Sequence, residues 1–288
     1  MLDNQDITEL TDRLTDKNYY DAEHEYYFGS ASGLSLYRRN PRECWDYYMN
    51  GWRPQEEDQT ALLLGNYLHS HFESQQAHGK WVAAHPEIIS SKGSTKGQLK
   101  SQFLIGDKMI DAIERQNNIK KFIDKADQKE MILTGQIAGM DFKGKLDAVN
   151  LDKHYFIDYK TNRDPSQDIK IYDSPDHYEY TNFVKAYGYY TQMALYREML
   201  KQAYGVDFMC YIVAVSKTKV PKVGLLYLES EELDTAYQQA LENIPHYQKV
   251  LTGEEKPELT FSDDEYFWTH YQINHPVTPD EFIGDFRK

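Results

Sequence analysis

The chain has 288 residues and a formal net charge of -14, with 46 acidic side chains against 32 lysines and arginines. That excess of acid argues against a protein that wraps nucleic acid through a broad basic surface, because such binding draws on many Lys and Arg contacts to phosphate. Hydrophobic residues make up 40% of the sequence and aromatic residues 14%, which excludes a largely disordered chain.

The chain begins with an acidic, tyrosine-rich lead-in over about residues 1–28. It lacks the basic-then-apolar order of a secretory signal, and no apolar run of the chain approaches the roughly 20 residues that span a bilayer. We therefore expect a cytoplasmic protein without a membrane partner. Ser32 is a plausible N-cap for the first helix, and Pro41 falls where that helix would break and a second would begin.

The middle of the chain changes from helical to strand-like patterns. Residues 58–76 place apolar side chains at i, i+4 and i+8 on one helical face, and helical character returns over 102–125 after a loop rich in Lys, Gly and Ser. Strand-like runs follow over 130–139, 140–149 and 154–160, with Gly139 marking the first turn.

The last third of the chain predicts a helix over 182–203, strands over 208–216 and 222–230, and a helix over 231–251. This order predicts an α/β (α+β) fold with one mixed sheet covered by helices. No linker interrupts the pattern. We therefore expect a single domain over 1–288, with the lead-in at one end and an extension from about 254 to 288 at the other.

Charged residues surround one short apolar strand in the segment GKLDAVNLDKHYFIDYKTN. Asp147 stands near the end of one strand, and Asp158 and Lys160 should share a face of the next, because side chains two apart on a strand point the same way. Two carboxylates that close repel each other unless a cation lies between them. Oxygen ligands from Asp147, Asp158 and the carbonyl of Tyr159 suit a hard ion such as Mg²⁺.

Lys160 would lie beside that ion. We expect the cationic field and partial burial to lower its pKa, so that it could position or deprotonate an attacking water. Two acids, a lysine and a hard cation are the groups required for metal-assisted phosphodiester hydrolysis.

The same residues resemble the PD-(D/E)XK nuclease superfamily, and within it the phage-type recombination exonucleases related to RecE and lambda exonuclease. The segments GKLDAV and IDYKT match the superfamily's two acids, its lysine and the following threonine at Asp147, Asp158, Lys160 and Thr161, while the motif's leading proline is absent. The resemblance covers about residues 30–251 and implies a restriction-endonuclease-like core, with a central mixed sheet flanked by helices.

The resemblance also implies site residues upstream. The segment LLLGNYLHSHFE matches a Leu-Gly-x-x-x-His signature, which assigns His69 as a metal ligand. His71 is a rival, but it lies about 200° around the helix, so both rings cannot face the site equally. Glu73 shares the face of His69 and could orient that ring or contact a metal-bound water.

Downstream, the segment YYTQMALYREML matches a Gln-x-x-x-Tyr pattern one helix after the lysine strand. Gln192 and Tyr196 would then share one helical face, where amide and phenol can reach the scissile phosphate or the attacking water. The best candidates for DNA phosphate contacts are Arg38, Arg39, Arg42, Lys92, Lys96 and Lys100. Each of these basic residues could instead belong to a solvated cluster that balances nearby acids.

The resemblance implies a Mg²⁺-dependent exonuclease, in which Mn²⁺ would substitute, that degrades one strand of linear double-stranded DNA from 5′ to 3′. The remaining 3′ strands would serve phage-type recombination, with a single-strand annealing protein as partner and a ring of three or four subunits. The residues alone leave open a structure- or sequence-specific endonuclease and a catalytically inactive DNA-end-binding scaffold. Iron–sulfur relatives use four cysteines, and Cys44 and Cys210 are the only two here.

Overall fold

A five-stranded sheet lies between two groups of helices in this computed structural model, which describes residues 14–15, 17–54, 59–174, 177–260, 265–271 and 278. The strands are β1 (Gln128–Ile137), β2 (Met140–Asn150), β3 (Tyr155–Asn162), β4 (Ile169–Ser174), β5 (His177–Thr181), β6 (Met209–Ser216) and β7 (Val223–Leu228). The sheet order is β1-β2-β3-β6-β7, and β4 and β5 form a separate hairpin. Only β3 and β6 run parallel among these described pairs, so the predicted mixed sheet is confirmed.

The described helices are α1 (Ala22–Tyr27), α2 (Ala31–Arg39), α3 (Pro41–Met49), α4 (Thr60–Glu73), α5 (Gln75–Ala84), α6 (Leu104–Glu114), α7 (Asn117–Asp124), α8 (Phe183–Ala186), α9 (Tyr189–Tyr204), α10 (Ser230–Leu251) and α11 (Glu265–His270). Single 3₁₀ turns occupy Pro86–Ile88 and Gly93–Thr95. No described helix is both long enough and apolar enough to cross a bilayer. The organisation of 1–288 as one domain stays a prediction.

The break between the first two predicted helices is confirmed, but the first helix is capped two residues earlier than expected. Ser30, not Ser32, caps α2, because its extended backbone lets Oγ accept a hydrogen bond of 3.1 Å from the Gly33 N–H. Pro41 begins α3, where proline needs no backbone donor.

Two helices predicted as continuous each divide in two, and the helix predicted over 58–76 ends at Glu73, where a second helix follows that was largely not predicted. Ser74 is extended and its hydroxyl accepts from the Ala77 N–H at 3.0 Å, which ends α4 and starts α5. Gln116 leaves the helical conformation between α6 and α7. Gly188 has a φ of +70° between α8 and α9, a left-handed conformation that favours glycine.

The turn predicted at Gly139 is confirmed. Ile137 pairs with Met140, and the two residues between them, Ala138 and Gly139, have φ values of +50° and +80°. Two positive φ angles in a two-residue loop match the right-handed twist of the flanking strands. This turn therefore fixes the register of β1 on β2.

Two apolar cores lie on opposite faces of the sheet. Phe156 points into the core under α2, α3, α9 and α10, whereas Ile157 points into the core under α4, α6 and α7. Both side chains have 0% exposure. Because successive strand residues alternate between faces, the face of β3 that carries Phe156 also carries Asp158 and Lys160.

Candidate metal centre and active-site cleft

The candidate site forms where β2 and β3 stop pairing. Their backbones pair from Ala148–Asn150 on β2 to Tyr155–Ile157 on β3. Just beyond the last pair, the Tyr159 N–H donates to the Asp147 carboxylate, Oδ2, at 2.6 Å. An Asp147 carboxylate oxygen thus takes the place of a backbone carbonyl as the acceptor for the Tyr159 N–H. The same hydrogen bond holds the Asp147 side chain between the two strands.

Strand β1 adds a carboxylate that the sequence analysis missed. The register of β1 on β2 puts Glu130 opposite Asp147, and Glu130 has a φ of +50°, which is uncommon for a residue with a side chain. Its carboxylate forms an ion pair of 2.9 Å with Lys145. A signal existed in the sequence, because Glu130 and Asp147 lie equally far from the turn at Gly139.

Helix α4 brings His69 against these acids. Its Nδ1 lies 3.0 Å from Asp147 Oδ1, and its Nε2 lies 2.9 Å from the Tyr159 carbonyl oxygen. Burial lowers the pKa of His69, but the Asp147 carboxylate outweighs burial and raises that pKa to about 9. Both ring nitrogens are therefore protonated near neutral pH, and both donate.

The structure separates the two histidines of α4. His71 contacts Glu114 on α6 at 3.0 Å, away from the acids, so His69 is the histidine at the site. Glu73 lines the same cleft. The His69 ring nitrogens contact Asp147 and Tyr159, so of the two alternatives for Glu73 these contacts leave the one with a metal-bound water, which stays a prediction.

Helix α9 closes the other side of the site. Lys160 Nζ lies 2.8 Å from Asp158 Oδ2 and donates to Gln192 Oε1 at 3.1 Å. The Gln192 amide nitrogen donates to Asp158 Oδ1 and to the Tyr196 phenol oxygen, each at 3.2 Å. Gln192 and Tyr196 of α9 therefore form one hydrogen-bonded network with Asp158 and Lys160 of β3.

The two aspartates respond differently to their surroundings. Burial raises the pKa of both, but the charge and hydrogen bond of His69 outweigh it and lower the pKa of Asp147. Burial also raises the pKa of Asp158, and the Asp147 charge adds to that rise although Lys160 opposes it. Asp147 is therefore the firmly ionised acid of the pair.

The expected low pKa of Lys160 is not found among the protein's own groups. Burial lowers the pKa of its ammonium, but the carboxylates of Asp158 and Asp147 outweigh burial and raise it. The expected low pKa assumed a bound cation next to Lys160, and it stays a prediction for the metal-bound site. Among the protein's own groups, Lys160 is a positive charge held beside Asp158.

The residues present fit a hard divalent cation. Asp158 Oδ2 is buried and, apart from its ion pair with Lys160, has no hydrogen bond of good geometry among the described residues. His69, Glu130 and Asp147 offer ligand atoms that all lie within 4.8 Å of one another. Carboxylates with a carbonyl suit Mg²⁺ or Mn²⁺, and His69 would release a proton to coordinate.

These groups line a cleft of about 480 Å³ that opens between α4 and α9. A second cavity of about 570 Å³ adjoins it and shares Lys160, Gln192 and Tyr196. The two cavities together extend from the acids to the N-terminal ends of α2 and α9.

The predicted phosphate contacts occupy different surroundings. Arg39 lines the second cavity, and Arg38 donates to the Thr191 hydroxyl of α9 at 2.9 Å. Arg42 forms an ion pair with Asp46 at 3.1 Å and donates to the Pro257 carbonyl, and its contact with DNA stays a prediction.

The lysine cluster lies apart from both cavities. Lys92, Lys96 and Lys100 are exposed, and none of them is among the described residues that line the cleft or the second cavity. A contact between these lysines and DNA farther from the cleft stays a prediction.

A mixed sheet flanked by helices, with two acids and a lysine at its interrupted strand pair, defines a protein of the PD-(D/E)XK-like class. The chain belongs to the family described as the PDDEXK-like domain of unknown function (DUF3799), whose model matches residues 30–262.

The structure is similar to the crystal structure of a candidate exonuclease from Eubacterium rectale, with 25% sequence identity and a TM-score of 0.80. That match covers 94% of this chain and 98% of the other. A match to a second structure, that of SSO0001, covers 76% of this chain and 87% of the other at 13% identity. Its TM-score of 0.27 is too low to support a shared fold. The comparison with curated proteins found no match.

Proposed function

We propose that this protein is a metal-dependent exodeoxyribonuclease that hydrolyses one strand of linear double-stranded DNA from its end. The proposal rests on one observation: a single open cleft is lined by Asp147, Asp158, Lys160, Glu130 and His69. The similarity to the Eubacterium rectale protein, itself described as a candidate exonuclease, supports it.

The cation would be Mg²⁺, with Mn²⁺ as a substitute, held by His69, Glu130, Asp147, Asp158 and the Tyr159 carbonyl. The chemistry that such an ion supplies is stabilisation of charge at phosphate and activation of water.

The protein's own groups divide the remaining work. Lys160 keeps its positive charge next to Asp158, so it would bind a non-bridging phosphate oxygen and stabilise negative charge that builds there. Gln192 holds the Lys160 ammonium and the Asp158 carboxylate in a fixed geometry through its two amide atoms. The Tyr196 phenol, which accepts from Gln192, can donate its own proton to the phosphate or to water.

Charge favours DNA ends over internal duplex. The chain carries a net charge of -14, and several acids line the cleft. Intact duplex would therefore be repelled except where metal and Lys160 balance its phosphates. A terminus also frays without the stacking cost of about 1 to 2 kcal/mol per base-pair step that internal opening requires.

The finer features of the proposal rest on the resemblance to the RecE and lambda exonuclease group. They are 5′ to 3′ polarity, release of mononucleotides, 3′ single strands delivered to a single-strand annealing protein in phage-type recombination, and a ring of three or four subunits. End-labelled substrates test the polarity, and light scattering of the purified protein tests the ring.

Incubation of linear and covalently closed circular duplex with Mg²⁺ tests the central proposal. We expect the linear DNA to shorten to mononucleotides, the circle to stay intact, and EDTA to stop the reaction. Nicking of the circle as fast as linear DNA is degraded would favour an endonuclease. Binding of DNA ends without any cleavage would favour an inactive end-binding scaffold.

A further inference from the structure

Residues 17–28, here termed the N-terminal wall, contribute two side chains to the cleft although they precede the family match at residues 30–262. Tyr19 and Tyr20 belong to this wall. Both line the metal-site cleft and the second cavity.

The N-terminal wall is tied to β2 by a buried lysine. Lys143 is 2% exposed, donates to the Tyr19 carbonyl and forms an ion pair of 3.2 Å with Glu25. Its ammonium also lies 4.6 Å from the centre of the Tyr19 ring. Tyr27 donates to the Asp141 carboxylate at 2.7 Å. A buried charge left unpaired is costly, so these contacts fix the wall on the sheet.

The two tyrosines of the wall differ in exposure. Tyr19 is 7% exposed, whereas Tyr20 is 72% exposed. The Tyr20 ring meets Tyr19 edge to face, with the ring centres 4.9 Å apart and the planes at 77°. Tyr20 is thus an aromatic side chain that an anchored neighbour holds in solvent at the mouth of both cavities.

The two cavities differ in their charged lining. Four acids line the metal-site cleft together with Lys145, Lys160 and His69, namely Glu73, Glu130, Asp147 and Asp158. The second cavity has no acid among the described residues that line it, and its polar and aromatic lining includes Arg39, Lys143, Lys160, Tyr187 and Tyr189. Acids with a cation suit a phosphodiester, whereas cations with aromatic rings suit the rest of a nucleotide. Tyr20 lies where the two environments meet.

We propose that a base at the DNA end stacks on Tyr20, and that this contact positions the adjoining phosphodiester between Lys160 and the acids. The inference rests on the proposed nuclease function. Stacking on an aromatic ring is tolerant of sequence, because every base has a flat face. Tyr20 is therefore a positioning residue for any duplex end rather than a reader of one sequence.

The test compares Tyr20 variants on two linear duplexes, one with ordinary ends and one with abasic terminal nucleotides. On ordinary ends we expect Tyr20→Ala and Tyr20→Leu to lower kcat/KM by about 5- to 100-fold, and Tyr20→Phe and Tyr20→Trp to stay near wild type. On abasic ends all variants should match the wild type, because the stacking partner is missing.

Tyr26→Ala is the matched control, since Tyr26 is 45% exposed in the same wall and is not among the described residues lining either cavity. It should behave as wild type on both duplexes. A wild-type rate for Tyr20→Ala on ordinary ends, or an equal loss on abasic ends, would overturn the stacking assignment alone. A wild type that cleaves neither duplex would overturn the proposed function itself.

Discussion

The two ends of the β2–β3 pair are both buried but differ in chemistry. At the paired end, Ala148, Val149, Phe156 and Ile157 are all 0% exposed and fill the two cores. One position further, Asp147 is 8% exposed and Asp158 is 3% exposed. At the paired end, backbone N–H and C=O groups of the two strands bond to each other. At the charged end, the Asp147 carboxylate accepts the hydrogen bond of the Tyr159 N–H instead.

This difference separates stability from function along one pair of strands. Burying apolar side chains at the paired end stabilises the fold. Burying acids costs free energy unless they are paired, and an apolar replacement is often as stable. The charged end therefore supplies the groups for metal binding and catalysis, and the apolar end supplies the stability that offsets the cost of burying them. Variants at the two ends should therefore change different properties of the protein.

The largest effect is expected at the charged end. Lys160→Met keeps the length of the side chain and removes its charge, so Mg²⁺-dependent hydrolysis should fall by about 10³-fold or more. Single-turnover degradation of a linear duplex measures the loss, and circular dichroism checks the fold. Lys153→Met is the control, because Lys153 is 71% exposed in the turn before β3. A near-wild-type rate for Lys160→Met would place the chemistry elsewhere.

At the apolar end the effect should appear in stability instead. Ile157→Ala deletes a fully buried side chain, so the free energy of unfolding should fall by about 2 to 5 kcal/mol. At a temperature where the variant is folded, kcat should stay within about threefold of wild type. Urea unfolding and steady-state kinetics measure the two quantities. A large loss of kcat in fully folded protein would show that the two ends are not separable.

The smaller effects concern the network between α9 and β3. Gln192→Ala and Tyr196→Phe each remove hydrogen bonds that hold the charged end, so transition-state stabilisation should fall by about 1 to 3 kcal/mol, or roughly ten- to a hundredfold in rate. DNA affinity, measured by fluorescence anisotropy with Ca²⁺ in place of Mg²⁺, should change less. Unchanged single-turnover rates in both variants would make the pair part of the core packing.

Short-range patterns in the sequence predicted much of this arrangement. Asp158 and Lys160 share a face because strand side chains alternate, and Gln192 and Tyr196 share a face because they are four apart on a helix. Each inference needs only the local period. The mixed sheet follows in the same way from the order of the elements.

Features that depend on single backbone conformations or distant contacts were not predicted. Ser74 ends one helix earlier than the apolar pattern predicted, and Gly188 divides another that the pattern made continuous. The β4–β5 hairpin and helices α1 and α11 carried no periodic signal that the sequence analysis used. Lys143 holds Tyr19 across more than a hundred residues of sequence, and no local pattern predicts such a contact.

Titration of the protein with Mn²⁺ without DNA, followed by the loss of the free-ion paramagnetic resonance signal, tests the central claim most directly. The wild type should bind Mn²⁺, Asp158→Asn and Glu130→Gln should bind it more weakly, and Lys160→Met should bind it equally or more tightly, because a neighbouring positive charge has been removed. An equal loss of Mn²⁺ affinity in Asp158→Asn and Lys160→Met, or no binding by the wild type, would contradict a metal-dependent site at the charged end.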